Sequence, residues 1–189
     1  EQVATRLGSN GIRDLYLRHG GTTQQSAYRL SVYHREDKGF TGNHDAREDT
    51  ALRGRFDWDP ASGVNLTTQL GLTKQDNDFG SATTPEYPES GFTQDSGHLH
   101  LTLQDNRNPD ALLKVQYFFN FNHLHDGYRL DPQQTVERDA HSRRHDLEVE
   151  SHLQLRDDLR MVWGGGARLD ASRSQAYLGH DRWVRDHVY

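Results

Sequence analysis

Residues 49–75 read DTALRGRFDWDPASGVNLTTQLGLTKQ, and this stretch decides the fold. Before the segment DPASG, alternate positions hold Leu52, Gly54, Phe56 and Trp58, and arginine or aspartate occupies each position between them. After it, every second residue from 64 to 72 is Val, Leu or Thr. A period of two places alternate side chains on opposite faces of a β-strand. The stretch therefore predicts two antiparallel strands joined by a tight turn.

The same alternation recurs along most of the chain. Further runs cover residues 28–35, 98–104, 113–122, 146–155 and 160–170, and weaker signals lie around Leu15 and Trp183. Soluble strands usually have about five to six residues, whereas tilted transmembrane strands need about nine to eleven. Most of these runs match the longer figure.

Two kinds of connection alternate between the predicted strands. Short segments rich in Gly, Pro, Asn or Asp begin at Gly20, Asp59, Asp105 and Arg156. Longer polar segments cover residues 38–48, 77–96, 126–141 and 171–181. Consecutive antiparallel strands reverse direction, so we expect every short turn at one end of the sheet and every long loop at the other. This asymmetry is typical of outer-membrane β-barrels.

Composition narrows the class of protein. The 189 residues are 32% hydrophobic and 10% aromatic, carry a net charge of -6 and include no cysteine. A helical membrane protein is excluded because no apolar stretch approaches the length of a membrane helix. A disulfide framework and a thiolate metal site are excluded by the missing cysteine. The predicted fold class is all-β: an antiparallel up-and-down transmembrane β-barrel segment with about eight or nine long strands, short periplasmic turns and long extracellular loops.

Four runs also resemble a known family. They are YRLSVYHREDKGF from Tyr28, DTALRGRFDWDP from Asp49, NLTTQLGLTKQDNDFG from Asn65 and MVWGGGARLD from Met161. They resemble the barrel of TonB-dependent outer-membrane receptors, which import siderophores, cobalamin and similar scarce ligands. Such barrels have about 22 strands. The resemblance implies that residues 1–189 form a partial transmembrane β-barrel domain, from the early part of the barrel, without the plug domain.

The resemblance also implies partners and a location. We expect the bacterial outer membrane, with contacts to its lipid, to TonB, to the protein's own plug domain and to a small-molecule ligand, but not to nucleic acid. Ligand capture would fall to aromatic rings in the extracellular loops, because such rings can stack on a siderophore or a corrin. The predicted ligand-binding residues are Phe40, Phe79, Tyr87, Phe92, Tyr128 and Tyr177.

No catalytic or metal-binding motif is present in the sequence. There is no GxSxG or HExxH pattern, and residues 164–166 lack the Lys and Ser/Thr of a phosphate-binding loop. Histidines two apart, at 98 and 100 and at 123 and 125, share one face of a strand, and His141 and His145 lie in or beside a loop. Solvated histidines are the commoner outcome of such spacing. We therefore predict a protein that is not an enzyme, with no cofactor and no metal site.

Two alternatives stay open at this point. One is a small self-contained outer-membrane β-barrel with a structural, adhesive or hydrolytic role. The other is a soluble β-sandwich binding module, in which a second sheet would cover the apolar face.

Overall fold

The computed structural model describes residues 1–81, 89–131, 134–174, 176 and 180–189, and it describes the side chains of these residues except 128–131, 134–135 and 180–182. Ten antiparallel strands form one sheet: β1 Gln2–Leu7, β2 Arg13–Thr22, β3 Ser26–Asp37, β4 Arg47–Ala61, β5 Val64–Phe79, β6 Ser90–Asp105, β7 Ala111–Asp131, β8 Gln134–Arg156, β9 Leu159–Ser174 and β10 His180–Val188. A single 3-10 turn, Ser9–Gly11, lies between β1 and β2. No helix in the described part of the chain has the length and apolar character needed to cross a membrane.

Each strand pairs with the next strand along the chain, so the sheet has the simple order β1 to β10. This arrangement confirms the predicted all-β, up-and-down fold. The predicted strands correspond to β2 through β10, and β1 is an additional strand at the start of the chain. In the described pairings β1 contacts only β2 and β10 contacts only β9, so the sheet is open.

The connections are unequal in length, and the four predicted short turns and two of the four predicted long loops are present. Short turns follow β2, β4, β6 and β8, and we call this edge of the sheet the turn end. The opposite edge, the loop end, carries the two longest connections, which follow β3 and β5. The predicted loop over residues 171–181 is too long, because β9 runs to Ser174 and β10 begins at His180. Gly63 closes the turn after β4 with φ of 79°, a left-handed conformation that glycine adopts without a Cβ clash.

The predicted loop over residues 126–141 is wrong. There β7 runs to Asp131 and β8 begins at Gln134, so the two longest strands, of 21 and 23 residues, continue almost to their connection. The predicted loop over residues 77–96 is also too long, because β6 begins at Ser90. Polar side chains occupy both faces of these extensions, so the sequence alternation that marks a half-buried strand is lost although the backbone pairing continues.

The strand register places apolar side chains in continuous rows on one face. In one row Leu30 lies opposite Gly54, Gly54 opposite Leu70, Leu70 opposite Leu99, and Leu99 opposite Phe119. We call this face the outer face, and its apolar rows form the apolar band. Its larger members are Tyr28, Leu30, Val32, Leu52, Phe56, Trp58, Leu66, Leu70, Leu72, Leu99, Leu101, Leu103, Leu113, Val115, Tyr117, Phe119, Phe121, Leu147, Val149, Leu153, Met161, Trp163 and Leu169.

Burial in this sheet is the reverse of that in a soluble protein. Ala51 is the one buried apolar residue among the described side chains, whereas Asn77, Asp146, Ser151 and Ser174 are buried polar residues. The chain exposes 13062 Å² of surface, against about 9,200 Å² expected for a compact soluble protein of 21.7 kDa. No helix or second sheet covers the apolar band within the described ranges. These ranges therefore lack the second layer that a β-sandwich requires.

Candidate functional site

The loop end of the inner face brings together two of the predicted ligand-binding aromatics. Phe79 ends β5 and Phe92 lies in β6, opposite Asn77. Their ring centroids are 6.4 Å apart and the rings are tilted by 48°, a separation within the usual range for interacting aromatic pairs. The two rings form a small apolar patch at the loop end of the inner face.

The other predicted aromatics are placed differently. Phe40 lies in the connection after β3, and its side chain is exposed. The backbone N–H of Phe40 donates to Asp45 Oδ1 at 2.9 Å, which holds this connection in a folded conformation. Tyr128 lies in β7 opposite Ser90, so its predicted loop position is wrong, as it is for Phe79 and Phe92. Tyr87 and Tyr177 lie outside the described residues.

The inner face is lined with charged side chains that pair with each other. Arg144 Nε contacts Asp170 Oδ1 at 2.5 Å, and Arg168 Nη2 contacts Asp146 Oδ2 at the same distance. Both pairs join directly opposed residues of β8 and β9. The register confirms the polar face expected from the sequence, which comprises Arg29, Arg35, Arg53, Arg55, Asp57, Lys114, Glu148, Glu150, Arg160, Arg168 and Asp170.

Asp146 is the centre of the most connected part of this face. Besides the ion pair with Arg168, it accepts a hydrogen bond from the Tyr189 hydroxyl at 2.8 Å. Glu148 Oε1 lies 2.9 Å from the same hydroxyl. A carboxylate that is nearly inaccessible to solvent requires such partners, because an unpaired buried charge is costly. The inner face is thus a polar layer with its own bonding network.

A second polar group lies on the outer face at the loop end, beyond the apolar band. His123 of β7 is directly opposite His141 of β8, and His125 is directly opposite Asp139. Asp139 Oδ1 is 2.7 Å from His123 Nε2, and Asp139 Oδ2 is 2.9 Å from His141 Nε2. The hydrogen bond from His123, with that from His141, lowers the pKa of the Asp139 carboxyl below its usual value. We call these four residues the histidine cluster.

Sequence reasoning named three members of the histidine cluster but missed their contact. The spacing of His123 and His125 was visible in the sequence, whereas His141 and Asp139 were assigned to a loop. Their approach depends on the register of the β7 and β8 extensions. A prediction of those extensions would have been needed to find the cluster.

Two other histidines considered in the sequence analysis contact aromatic side chains and lie outside the histidine cluster. His100 stacks on Phe118 of β7 with ring centroids 4.1 Å apart. His145 lies within β8, not in a loop, and its Nδ1 is 2.9 Å from the Tyr117 hydroxyl. These two imidazoles are therefore packed against aromatic side chains of neighbouring strands.

In comparisons with known proteins, the chain matches no protein-family model and no curated protein.

Proposed function

We propose that this chain is part of the barrel of a TonB-dependent receptor in a bacterial outer membrane. The observation that carries the proposal is the apolar band, which is continuous across neighbouring strands and has no protein layer over it among the described residues. Lipid is the solvent that would make such a face favourable, because an apolar side chain stabilises the fold in proportion to the area that it removes from water.

The strand dimensions support a membrane-spanning sheet. In β7 the apolar positions run from Leu113 to Phe121. At about 3.3 Å per residue these positions extend about 26 Å along the strand. At the tilt of about 40° found in outer-membrane barrels this is about 20 Å of height, the greater part of their apolar height of about 25 Å. Backbone groups in lipid must all be paired, so the open edges at β1 and β10 require further strands or mutual closure.

The polar inner face supports the transport role. In the proposed receptor this face contacts water and the plug domain, and the aromatic patch of Phe79 and Phe92 lies at the entrance with Phe40. A siderophore, cobalamin or a similar scarce ligand binds at this end, and TonB displaces the plug to admit it. The chain's residues bind and guide the ligand without covalent chemistry.

Deletion of the gene in its natural host tests the receptor role. The mutant should lose growth on one siderophore or on cobalamin as the limiting source, while growth on unrelated nutrients is unchanged. Removing TonB should produce the same loss of growth on that ligand. The double mutant should grow no worse on it than either single mutant. Unimpaired uptake of every ligand tested would reject the receptor proposal.

A small self-contained outer-membrane barrel is the second candidate, and the paired inner-face charges favour it. Cross-strand pairs such as Arg144 with Asp170 neutralise charge without a plug or a wide aqueous lumen. Folding of the chain alone in detergent, seen as heat-dependent electrophoretic migration, would support this candidate. If the chain shows heat-dependent migration only when further barrel strands are present, the result would support the receptor proposal.

A further inference from the structure

The histidine cluster provides metal-binding atoms from two strands at one point. Candidate ligand atoms of His123, Asp139 and His141 all lie within 4.8 Å of one another. Imidazole nitrogen with carboxylate oxygen is a donor set that suits Zn²⁺ and related divalent transition metals, whereas Ca²⁺ and Mg²⁺ prefer oxygen alone. We propose that the histidine cluster is a binding site for a divalent transition-metal ion of the zinc class.

The spacing of the ligand atoms fits this assignment. Zinc ligands lie about 2.0–2.2 Å from the ion, so two of them at a tetrahedral ion are about 3.3–3.5 Å apart. Asp139 oxygens are 2.7 and 2.9 Å from the two imidazole nitrogens. An outward movement of about 0.5 Å would admit the ion and replace these hydrogen bonds with metal bonds.

A fourth ligand is available in the same geometry. His125 Nδ1 lies 3.9 Å from Asp139 Oδ1, and a modest side-chain rotation brings it to the ion. The four residues form two adjacent opposed pairs on one face of a hairpin, so the backbone pairing fixes their positions before the metal arrives. Ser174 Oγ donates to the Asp139 carbonyl oxygen at 2.7 Å, which adds support from β9.

The imidazoles also have suitable exposure and orientation. About two-fifths of the side-chain surface of His123 and His141 is exposed, at 38% and 44% respectively, so an ion can enter from solvent. Their rings are stacked with centroids 3.9 Å apart and planes inclined by only 16°. This stacking directs two nitrogens toward the same carboxylate, and an ion there would tie β7 to β8 outside the apolar band.

Calorimetric titration of the full chain with Zn²⁺ tests the site. The protein is folded in detergent micelles together with any further barrel strands that its folding requires, and His141→Asn is compared with His98→Asn, which removes a histidine from the inner face. The His141→Asn variant should bind Zn²⁺ at least about tenfold more weakly, since loss of even an outer-shell partner costs that much. The His98→Asn variant should bind Zn²⁺ as tightly as the unaltered chain. The His125→Asn variant should weaken Zn²⁺ binding less than His141→Asn does.

The visible absorption of bound Co²⁺ provides a second measurement, because Co²⁺ bound weakly at the surface would not give the same spectrum. Co²⁺ in the cluster should give the visible absorption of a low-coordinate site with nitrogen ligands, and His123→Asn should abolish it. Equal Zn²⁺ affinity in concentrated urea, or equal loss with His98→Asn and His141→Asn, would overturn the proposal. This test is independent of uptake, so it stands whether or not the receptor function is correct.

Discussion

Asp146 and Leu147 are neighbours in β8, and their exposures are inverted: 5% of the aspartate surface is accessible, against 46% of the leucine surface. The aspartate lies on the inner face beneath Arg168 and Tyr189, while the leucine lies on the apolar band. In water this arrangement leaves apolar area unburied while a charged group loses its hydration. The proposed lipid-facing outer face would resolve this inversion, because lipid would then cover the leucine while water and ion pairs solvate the inner face.

A charge introduced at the middle of the apolar band should destabilise the protein in lipid. Leu101 lies between Thr68 and Tyr117 in register. The Leu101→Lys variant should lose about 2–4 kcal/mol of unfolding free energy in lipid vesicles, because an ammonium group in hydrocarbon is poorly solvated. Urea titration followed by tryptophan fluorescence measures the loss.

The control for this experiment is the next residue in the same strand. Thr102 lies on the inner face and bonds His100 at 2.9 Å, so Thr102→Lys should cost about 1 kcal/mol or less. Similar losses for the two variants would mean that the faces have the same surroundings.

Loss of the Asp146 charge should also destabilise the protein. The Asp146→Asn variant removes the ion pair with Arg168 at 2.5 Å, and we expect the unfolding free energy to decrease by about 1.5–3 kcal/mol, the range for hydrogen bonds to charged groups. Asp57→Asn removes the more exposed pair with Arg55 and should cost at most about 1 kcal/mol. Equilibrium unfolding of both variants compares them, and a larger loss for Asp57→Asn would contradict the assigned network.

The turn after β4 depends on a glycine. Gly63 has φ of 79°, and a Cβ there would lie 2.9 Å from Asn106 Oδ1. Gly63→Ala should therefore lower the unfolding free energy by about 1–2 kcal/mol, the cost of a left-handed residue with a side chain. Ser62→Ala in the same turn should have little effect, and equal effects for the two substitutions would show that conformation at residue 63 is unimportant.

The turn end contains a carboxyl group whose titration can be followed directly. Arg107 Nη2 lies 2.6 Å from Asp105 Oδ2 where β6 ends at the turn, and hydrogen bonds from this guanidinium lower the pKa of Asp105. The stabilisation is present above the ordinary pKa of aspartate and is lost as the pH falls through the lower folded value. NMR titration should show the Asp105 pKa rising in Arg107→Gln but not in Arg156→Gln, and no change in either variant would reject the contact.

Sequence alternation predicted the strands where the two faces have different surroundings. The run from Thr50 to Leu72 became β4 and β5 with the expected turn between them. Residues such as Asn122 and Ser142, which lie opposite each other in β7 and β8, carry no such signal because both faces there are polar. Backbone pairing extends these strands regardless of side-chain polarity, so their length was underestimated.

The candidate sites were predicted less completely for the same reason. Phe79 and Phe92 were named individually, but their pairing depends on the β5 and β6 register beyond the apolar rows. Asp139 carried no distinguishing feature in a chain with 28 acidic residues. Contacts between distant segments are set by register, which a single sequence specifies only where one face is apolar.

A spin-label scan along β7 in lipid vesicles tests most directly whether lipid covers the apolar band. The chain has no cysteine, so single cysteines at residues 113–121 can each carry a nitroxide. Labels at odd-numbered positions should be most accessible to dissolved oxygen, and labels at even-numbered positions to a water-soluble paramagnetic complex. Odd-numbered labels that contact the aqueous complex as readily as their neighbours, or that neither reagent reaches, would contradict a lipid-facing band.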